Sequence, residues 1–92
     1  MKEIQPFNIW VNGQMKSAKF MSLVCGTDNL VDSAMFYYCL FEGAIDPVKN
    51  VLVASNKLVD GNITMTGAPY SSWQTNPQAW AWAGQTLGIT YK

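Results

Sequence analysis

Leu30-Val31-Asp32-Ser33-Ala34-Met35-Phe36-Tyr37-Tyr38-Cys39-Leu40-Phe41 is the stretch on which the reading of this chain turns. Its even positions carry Leu30, Ala34, Phe36, Tyr38 and Leu40, and its odd positions carry Val31, Met35, Tyr37, Cys39 and Phe41. Aromatic and branched side chains suit a pleated strand, in which successive side chains leave on opposite faces. A strand that is apolar on both faces is either buried on both or holds a partner on the second. Leu30–Phe41 is therefore read as a central strand.

Toward the N-terminus, Gly26-Thr27-Asp28-Asn29 supplies turn residues, and Gln14 to Cys25 reads as the preceding strand. Asn12-Gly13 lies between that strand and Ile4–Val11. Asn-Gly between apolar runs predicts a two-residue hairpin, because a type I′ turn needs positive φ at both central positions. Pro6 places the start of the first strand at a sheet edge. Toward the C-terminus, Glu42-Gly43 and Asp46-Pro47 mark a loop, and Val51–Val59 reads as a fourth strand. Asp60-Gly61 predicts a second tight hairpin into a fifth strand, Asn62–Thr66, with Leu58 opposite Ile63 and Asn56 opposite Met65.

After Gly67 the pattern changes. Pro69–Trp73 reads as one helical turn. Asn76-Pro77 predicts an N-cap followed by proline at the first helical position, and the helix Pro77–Leu87 stops at Gly88, a C′ glycine. Trp80, Ala83, Gly84 and Leu87 share one stripe, which packs on the sheet, whereas Trp82 falls toward Pro77, Ala81 and Gln85. Ile89–Tyr91 is a possible short last strand. The expectation is a single α+β domain over residues 1–92, an antiparallel β-meander of five or six strands with one C-terminal helix.

Composition bounds the function. The chain has 92 residues, 49% hydrophobic but only 13% charged, and its six basic residues balance six acidic ones; about 25% charged is usual. The stretch Ala34–Phe41 is far short of the roughly 20 apolar residues a bilayer span needs, and Met1–Pro6 shows no apolar segment of signal-peptide length. There is no His, and all six basic residues are Lys. Lacking Arg and any basic excess, the chain has no electrostatic footprint for nucleic acid. Lacking His, it cannot form Ser-His or Cys-His nucleophile pairs. A net charge of zero favours association over repulsion.

The remaining candidates each have a plainer reading. Cys25 and Cys39 lack the partners of a zinc site; with a turn near Asp28-Asn29, Cys25 lies opposite about residue 32, far from Cys39, so both are expected as buried free thiols. Asp28, Asn29 and Asp32 could offer oxygens to calcium, but they lack the glycine and distal Glu of a calcium loop and are read as a turn. Asp28, Asp32, Glu42, Asp46 and Asp60 lie in or beside predicted turns, which argues against a glycosidase pair. Asn62-Ile63-Thr64 is a formal glycosylation sequon that here opens a strand. Trp73 and Trp80 are assigned to the core; Trp10 and Trp82 are divided between core and contact surface.

Two segments carry a resemblance. Asp28-Asn29-Leu30-Val31-Asp32-Ser33-Ala34 is followed by Phe36-Tyr37-Tyr38, Leu40 and Gly61; then come Gly67, Tyr70 and Trp73, with Ala79-Trp80, Trp82 and Leu87-Gly88-Ile89-Thr90. Over about residues 20–91 this resembles small uncharacterised proteins of tailed bacteriophages encoded near virion structural genes. The resemblance implies a phage origin and a virion role, and it transfers no functional residue. Residues 4–19 lie outside it.

The expectation from residues and resemblance together is a non-enzymatic virion component, made in the bacterial host cytoplasm. It decorates or assembles a capsid or tail through apolar and aromatic contacts with itself or other virion proteins, without cofactor, metal, nucleic acid or membrane. The contact candidates are Phe7, Ile9, Trp10, Met35, Tyr37 and Trp82. The alternative is a small binding module, either a phage inhibitor of a host protein or a tryptophan-based carbohydrate binder.

Overall fold

The computed structural model describes residues 1–92. Four strands, β1 (Lys2–Val11), β2 (Gln14–Asp28), β3 (Ser33–Asp46) and β4 (Val51–Thr66), precede two helices, α1 (Gly67–Ser72) and α2 (Asn76–Leu87). The strands form one antiparallel sheet in the order β1-β2-β3-β4. This is the expected α+β meander, with four strands rather than five or six and two short C-terminal helices rather than one.

The first hairpin follows the sequence directly. Asn12 and Gly13 have φ of 49° and 79°, and Val11 pairs with Gln14, as a type I′ turn requires. Pro6, which has no N–H for a ladder, sits where the β1–β2 register shifts between Glu3 and Phe7.

The second turn lies further along than expected. β2 continues to Asp28, and Leu30 and Val31 belong to the turn rather than to β3, at 83% and 80% exposure. Asn29 organises this turn. Its Oδ1 accepts the backbone N–H groups of Val31, Asp32 and Ser33 at 2.9–3.1 Å, and its Nδ2 donates to Asp32 Oδ1 at 2.7 Å. Asp28 Oδ1 accepts the N–H of Leu30, whose φ is +61°. Local side-chain bonds outweigh the strand preference of Leu and Val. With this turn and a bulge between Cys25 and Thr27, Cys25 faces Phe36 rather than residue 32, and Cys39 faces Ser22.

The largest correction concerns Asp60-Gly61. β4 runs through both residues without turning, with Asp60 opposite Cys39 and Gly61 opposite Tyr38. The glycines with positive φ are Gly13, Gly67 and Gly88, so Gly61 lacks the backbone that a hairpin turn demands. Its role is to make room: a Cβ there would stand 3.0 Å from Tyr38 Oη and 3.2 Å from Tyr38 Cε1, so the ring covers a bare stretch of backbone. The hairpin reverses instead at Asp46–Asn50. Asp46 Oδ1 accepts the N–H groups of Val48 (2.9 Å) and Lys49 (3.3 Å), its carbonyl accepts that of Asn50 (2.7 Å), and Asn50 has φ +56°.

The helices cover one sheet face. Directly paired residues share a face, so Met21, Leu40 and Val59 form one row, Leu23, Tyr38 and Gly61 a second, and Cys25, Phe36 and Ile63 a third, with Ala34 and Met65 beyond. Phe36 meets Trp73 edge-on at 5.2 Å and Trp82 at 5.6 Å between ring centroids. Met21, Ala34, Phe36, Leu40 and Met65 are buried on this side, with Ala79 and Ala83 from α2; burying a side chain such as Met, Leu or Phe contributes about 1.5–3 kcal/mol.

Thr75 is the N-cap of α2, one residue earlier than expected, and Gln78 Oε1 closes a capping box by accepting Thr75 N–H at 3.0 Å. Gly88 ends the helix at φ +73°. The possible last strand is reduced to a bridge between Tyr91 and Ile4, flanked by Gln5 N–H to Thr90 O at 2.8 Å and Lys92 N–H to Glu3 O at 3.1 Å. No helix is long and apolar enough to cross a membrane.

Candidate functional site

The same register that builds the core defines the opposite, helix-free face. Its rows are Phe20, Phe41 and Lys57; Ser22, Cys39 and Asp60; Val24, Tyr37 and Asn62; and Thr27, Met35 and Thr64. Val24 is 56% and Met35 42% exposed, and Phe20, Tyr37 and Phe41 are half-buried. Cys39 is buried between its neighbours on this face, whereas Cys25 is exposed. The expectation of two buried thiols therefore holds only for Cys39.

A polar clasp crosses the middle of this face. Tyr37 Oη donates to Asp60 Oδ2, and Lys57 Nζ approaches the same oxygen at 3.2 Å. The Tyr37 hydrogen bond, and after it that of Lys57, holds the Asp60 carboxyl below its ordinary range. In return the carboxylate, and after it Cys39, pushes the Tyr37 phenol well above its ordinary value. At neutral pH the pair is a protonated phenol on an anionic carboxylate, which fixes the ring in place beside Met35 and Val24. The bonded hydroxyl and carboxylate are solvent-exposed, so what the clasp provides is orientation more than stability.

The six contact candidates do not come together. Met35 and Tyr37 lie on the helix-free face. Phe7 and Ile9 are half-buried and pack against the core that includes Ile4, Ala18 and Met21. Trp10 is 68% exposed at the first hairpin, opposite Met15. Trp82 does not leave the sheet as its helix position suggested, because its ring packs on Phe36 while also lining a shallow cleft with Gln78 and Gln85. Trp80 lies at the margin, edge-on to Tyr91 at 5.6 Å, with Lys2 Nζ 5.4 Å from its ring centroid. The sequence reading missed Val24 and Asp60. Val24 would have emerged from placing the second turn at Asn29–Asp32, and Asp60 was masked by the Asp-Gly signal.

A second surface lies where the second turn meets the helices. Asp28 Oδ1 accepts the Tyr70 hydroxyl at 2.7 Å, which raises the Tyr70 phenol above its ordinary value. Beside it runs a cleft of about 270 Å³ lined by Leu23, Val24, Cys25, Phe36, Trp73 and Trp80, among others. A more polar hollow shares Trp73 and Asn76 with that cleft and adds Asp28 and Gln74. The Asp28, Asn29 and Asp32 oxygens are engaged in the turn and on Tyr70.

No family model matches this chain, and no curated protein or solved structure does.

Proposed function

We propose that this chain is a non-enzymatic structural protein that acts through protein–protein contact on its helix-free sheet face, as a virion component of a tailed phage, decorating or assembling the capsid or tail. One observation carries the contact reading: the rows through Val24–Tyr37–Asn62 and Thr27–Met35–Thr64 leave apolar side chains open to solvent while a hydrogen-bonded clasp holds the central ring in place. Aromatic and methionine side chains are what binding surfaces concentrate. The virion placement rests on the resemblance of residues 20–91 to small phage proteins. The low charge and the absence of His and Arg suit a packing role better than a catalytic or nucleic-acid one. Quantifying the chain in purified particles of the encoding phage tests the placement. Stoichiometric copies are expected, and particles without it would overturn the virion role.

A second reading is favoured by the adjoining clefts around Trp73. Aromatic walls beside the amides of Gln74 and Asn76 suit a neutral sugar, which stacks an apolar face and hydrogen-bonds at its rim. Titrating the protein with a panel of glycans while following tryptophan fluorescence discriminates the two. A saturable shift supports the sugar-binding role, and an unchanged spectrum removes it.

A further inference from the structure

We propose that the outer edge of β2 between Leu23 and Asp28 takes up an extended peptide as an added strand, antiparallel to β2, with a large apolar side chain of that peptide seated in the cleft beside α2. The proposal is independent of the helix-free face, and it gives the cleft beside Trp73 a peptide rather than a sugar.

The free edge is the first argument. β1 pairs with β2 only as far as Lys2 opposite Met21, while β2 runs on to Asp28 with β3 along its other side. Leu23–Asp28 therefore has a strand on one side and none on the other. Alternate residues of a strand turn their N–H and C=O groups to each side, and no turn, loop or cap backbone bond ends on these residues. Val24 is 56% exposed, and Cys25, Gly26 and Thr27 are exposed with it. The other edges are guarded: the start of β1 carries Pro6 and is bonded by Thr90 and Lys92, and the ladder of β4 is broken by two register shifts.

The cleft is the second argument. Leu23, Val24 and Cys25 line one side of a cleft of about 270 Å³, and Asn76, Ala79 and Trp80 of α2 line the other. Of β4, only Met65 lines a cleft. A strand laid on the β2 edge sends alternate side chains toward the helices. A cavity of about 150 Å³ already admits benzene, so this one takes an aromatic or branched apolar side chain. Main-chain bonds along the edge supply affinity, and the cleft supplies specificity.

Charge fixes the direction of the peptide. At the β1 end the charged side chains are Lys2, Glu3 and Lys92. Glu3 and Lys92 pair at 2.9 Å, which leaves Lys2, its Nζ 5.4 Å from the centroid of the Trp80 ring. At the other end stand Asp28 and Asp32, whose side-chain partners are the neutral Tyr70 hydroxyl and Asn29 amide; no ion pair engages either. Six residues at about 3.3 Å each make this groove roughly 20 Å long, positive at one end and negative at the other. A peptide antiparallel to β2 begins beside Asp28 and ends beside Lys2, so a basic N-terminal end and a C-terminal carboxylate both meet opposite charge.

Binding of synthetic peptides to the whole chain in reducing buffer tests the proposal. The probes are fluorescein-labelled hexapeptides with Lys first, a free carboxylate last, and one Phe moved through a threonine run between them. At least one should bind saturably by anisotropy, and alternate amides of Leu23–Asp28 should then exchange more slowly. N-methylating alternate amides of that peptide should abolish binding in one phase and spare it in the other, since only one set faces β2. Exchanging the end charges of the peptide should weaken binding about fivefold, as should Lys2→Glu at unchanged far-UV circular dichroism. A panel that does not bind at millimolar concentration overturns the proposal. So does binding that leaves these amides unprotected, that treats both N-methylation phases alike, or that ignores the order of the end charges. Tryptophan fluorescence that responds to glycans while no peptide binds also overturns it, and the cleft then belongs to the sugar reading. The helix-free face is tested separately, by incorporation into particles.

Discussion

Replacing Gly84 by alanine should destabilise the protein, although alanine is the better helix former. In an open helix the exchange would stabilise by about 1 kcal/mol. Here the added Cβ would stand 2.9 Å from the Ile89 carbonyl oxygen, 2.9 Å from Tyr91 Cε2 and 3.1 Å from Tyr91 Cζ, inside ordinary contact distance. Neither neighbour is free to withdraw. The Ile89 N–H donates to the Gly84 carbonyl at 2.8 Å, so the segment is tied to the residue it would have to leave. The Tyr91 hydroxyl donates to the Trp80 carbonyl at 2.5 Å, its ring rests edge-on against Trp80, and its backbone bridges Ile4. Overpacking of this kind costs about 1–3 kcal/mol, and lifting the buried Ile89 adds part of the about 1.5–3 kcal/mol of its burial. Set against the helix gain, the net loss is about 1–2 kcal/mol, and each kcal/mol lowers the Tm of a domain this size by about 4–8 °C. Urea and thermal unfolding of Gly84→Ala measure it, with Gln85→Ala as an exposed control expected within about 0.5 kcal/mol of wild type. Amide exchange at Ile89 should accelerate in the Gly84 variant alone. A variant as stable as wild type, or more so, would refute the close docking of residues 89–91 on α2.

Three further outcomes follow from the same contacts. Asn29→Ala removes the acceptor of three backbone N–H groups in the second turn and should cost about 1–2 kcal/mol in thermal unfolding; Asp32→Ala, which removes one acceptor, should cost less. Thiol titration of the native protein should show one fast group, Cys25, and one that reacts only on unfolding, Cys39; equal rates would contradict the burial of Cys39. Tyr37→Phe should move the Asp60 carboxyl back up toward its ordinary value in an NMR titration, because the lost hydrogen bond is the largest cause of its depression. A depressed folded-state carboxyl contributes stability above its unfolded pKa and loses it as pH falls through the folded value, so the acid limb of the unfolding curve should lie at higher pH in this variant.

The parts of the fold written in local chemistry were legible in the sequence. Asn12-Gly13 and Gly88 require positive φ and have it, and the alternation along Ala34–Phe41 named the residues that build the core on one face and an open surface on the other. What failed was decided at long range. Asp60-Gly61 carries the same turn signal as Asn12-Gly13, yet the meaning of its glycine depends on Tyr38, 23 positions earlier, whose ring needs the missing side chain. Leu30-Val31 has strand-like side chains, but the Asn29 amide claims the backbone around them. Trp82 sits off the apolar stripe of α2, yet a large ring at a helix margin still reaches Phe36. Of the candidate site, Met35 and Tyr37 were legible from alternation alone, whereas Val24 and Asp60 required the registers.

The two faces of β3 therefore set the direction in which function is to be sought. Its even-numbered row, Ala34, Phe36, Tyr38 and Leu40, is met by Trp73, Trp82, Gly61 and the buried residues of α2, so the apolar character of that row is fully accounted for by folding. The odd-numbered row is equally apolar and meets no helix. Folding alone would be served as well by threonine and lysine at positions 35 and 37, which an open sheet face ordinarily carries. A methionine left 42% exposed, and a tyrosine held by a carboxylate that is itself paired with lysine, are choices that the stability of this domain does not demand. Substitutions that separate the two roles follow from that asymmetry. Phe36→Ala should unfold the domain, with a core truncation of about 3–5 kcal/mol, whereas Met35→Lys, one residue away and on the opposite face, should leave the Tm of the isolated chain nearly unchanged.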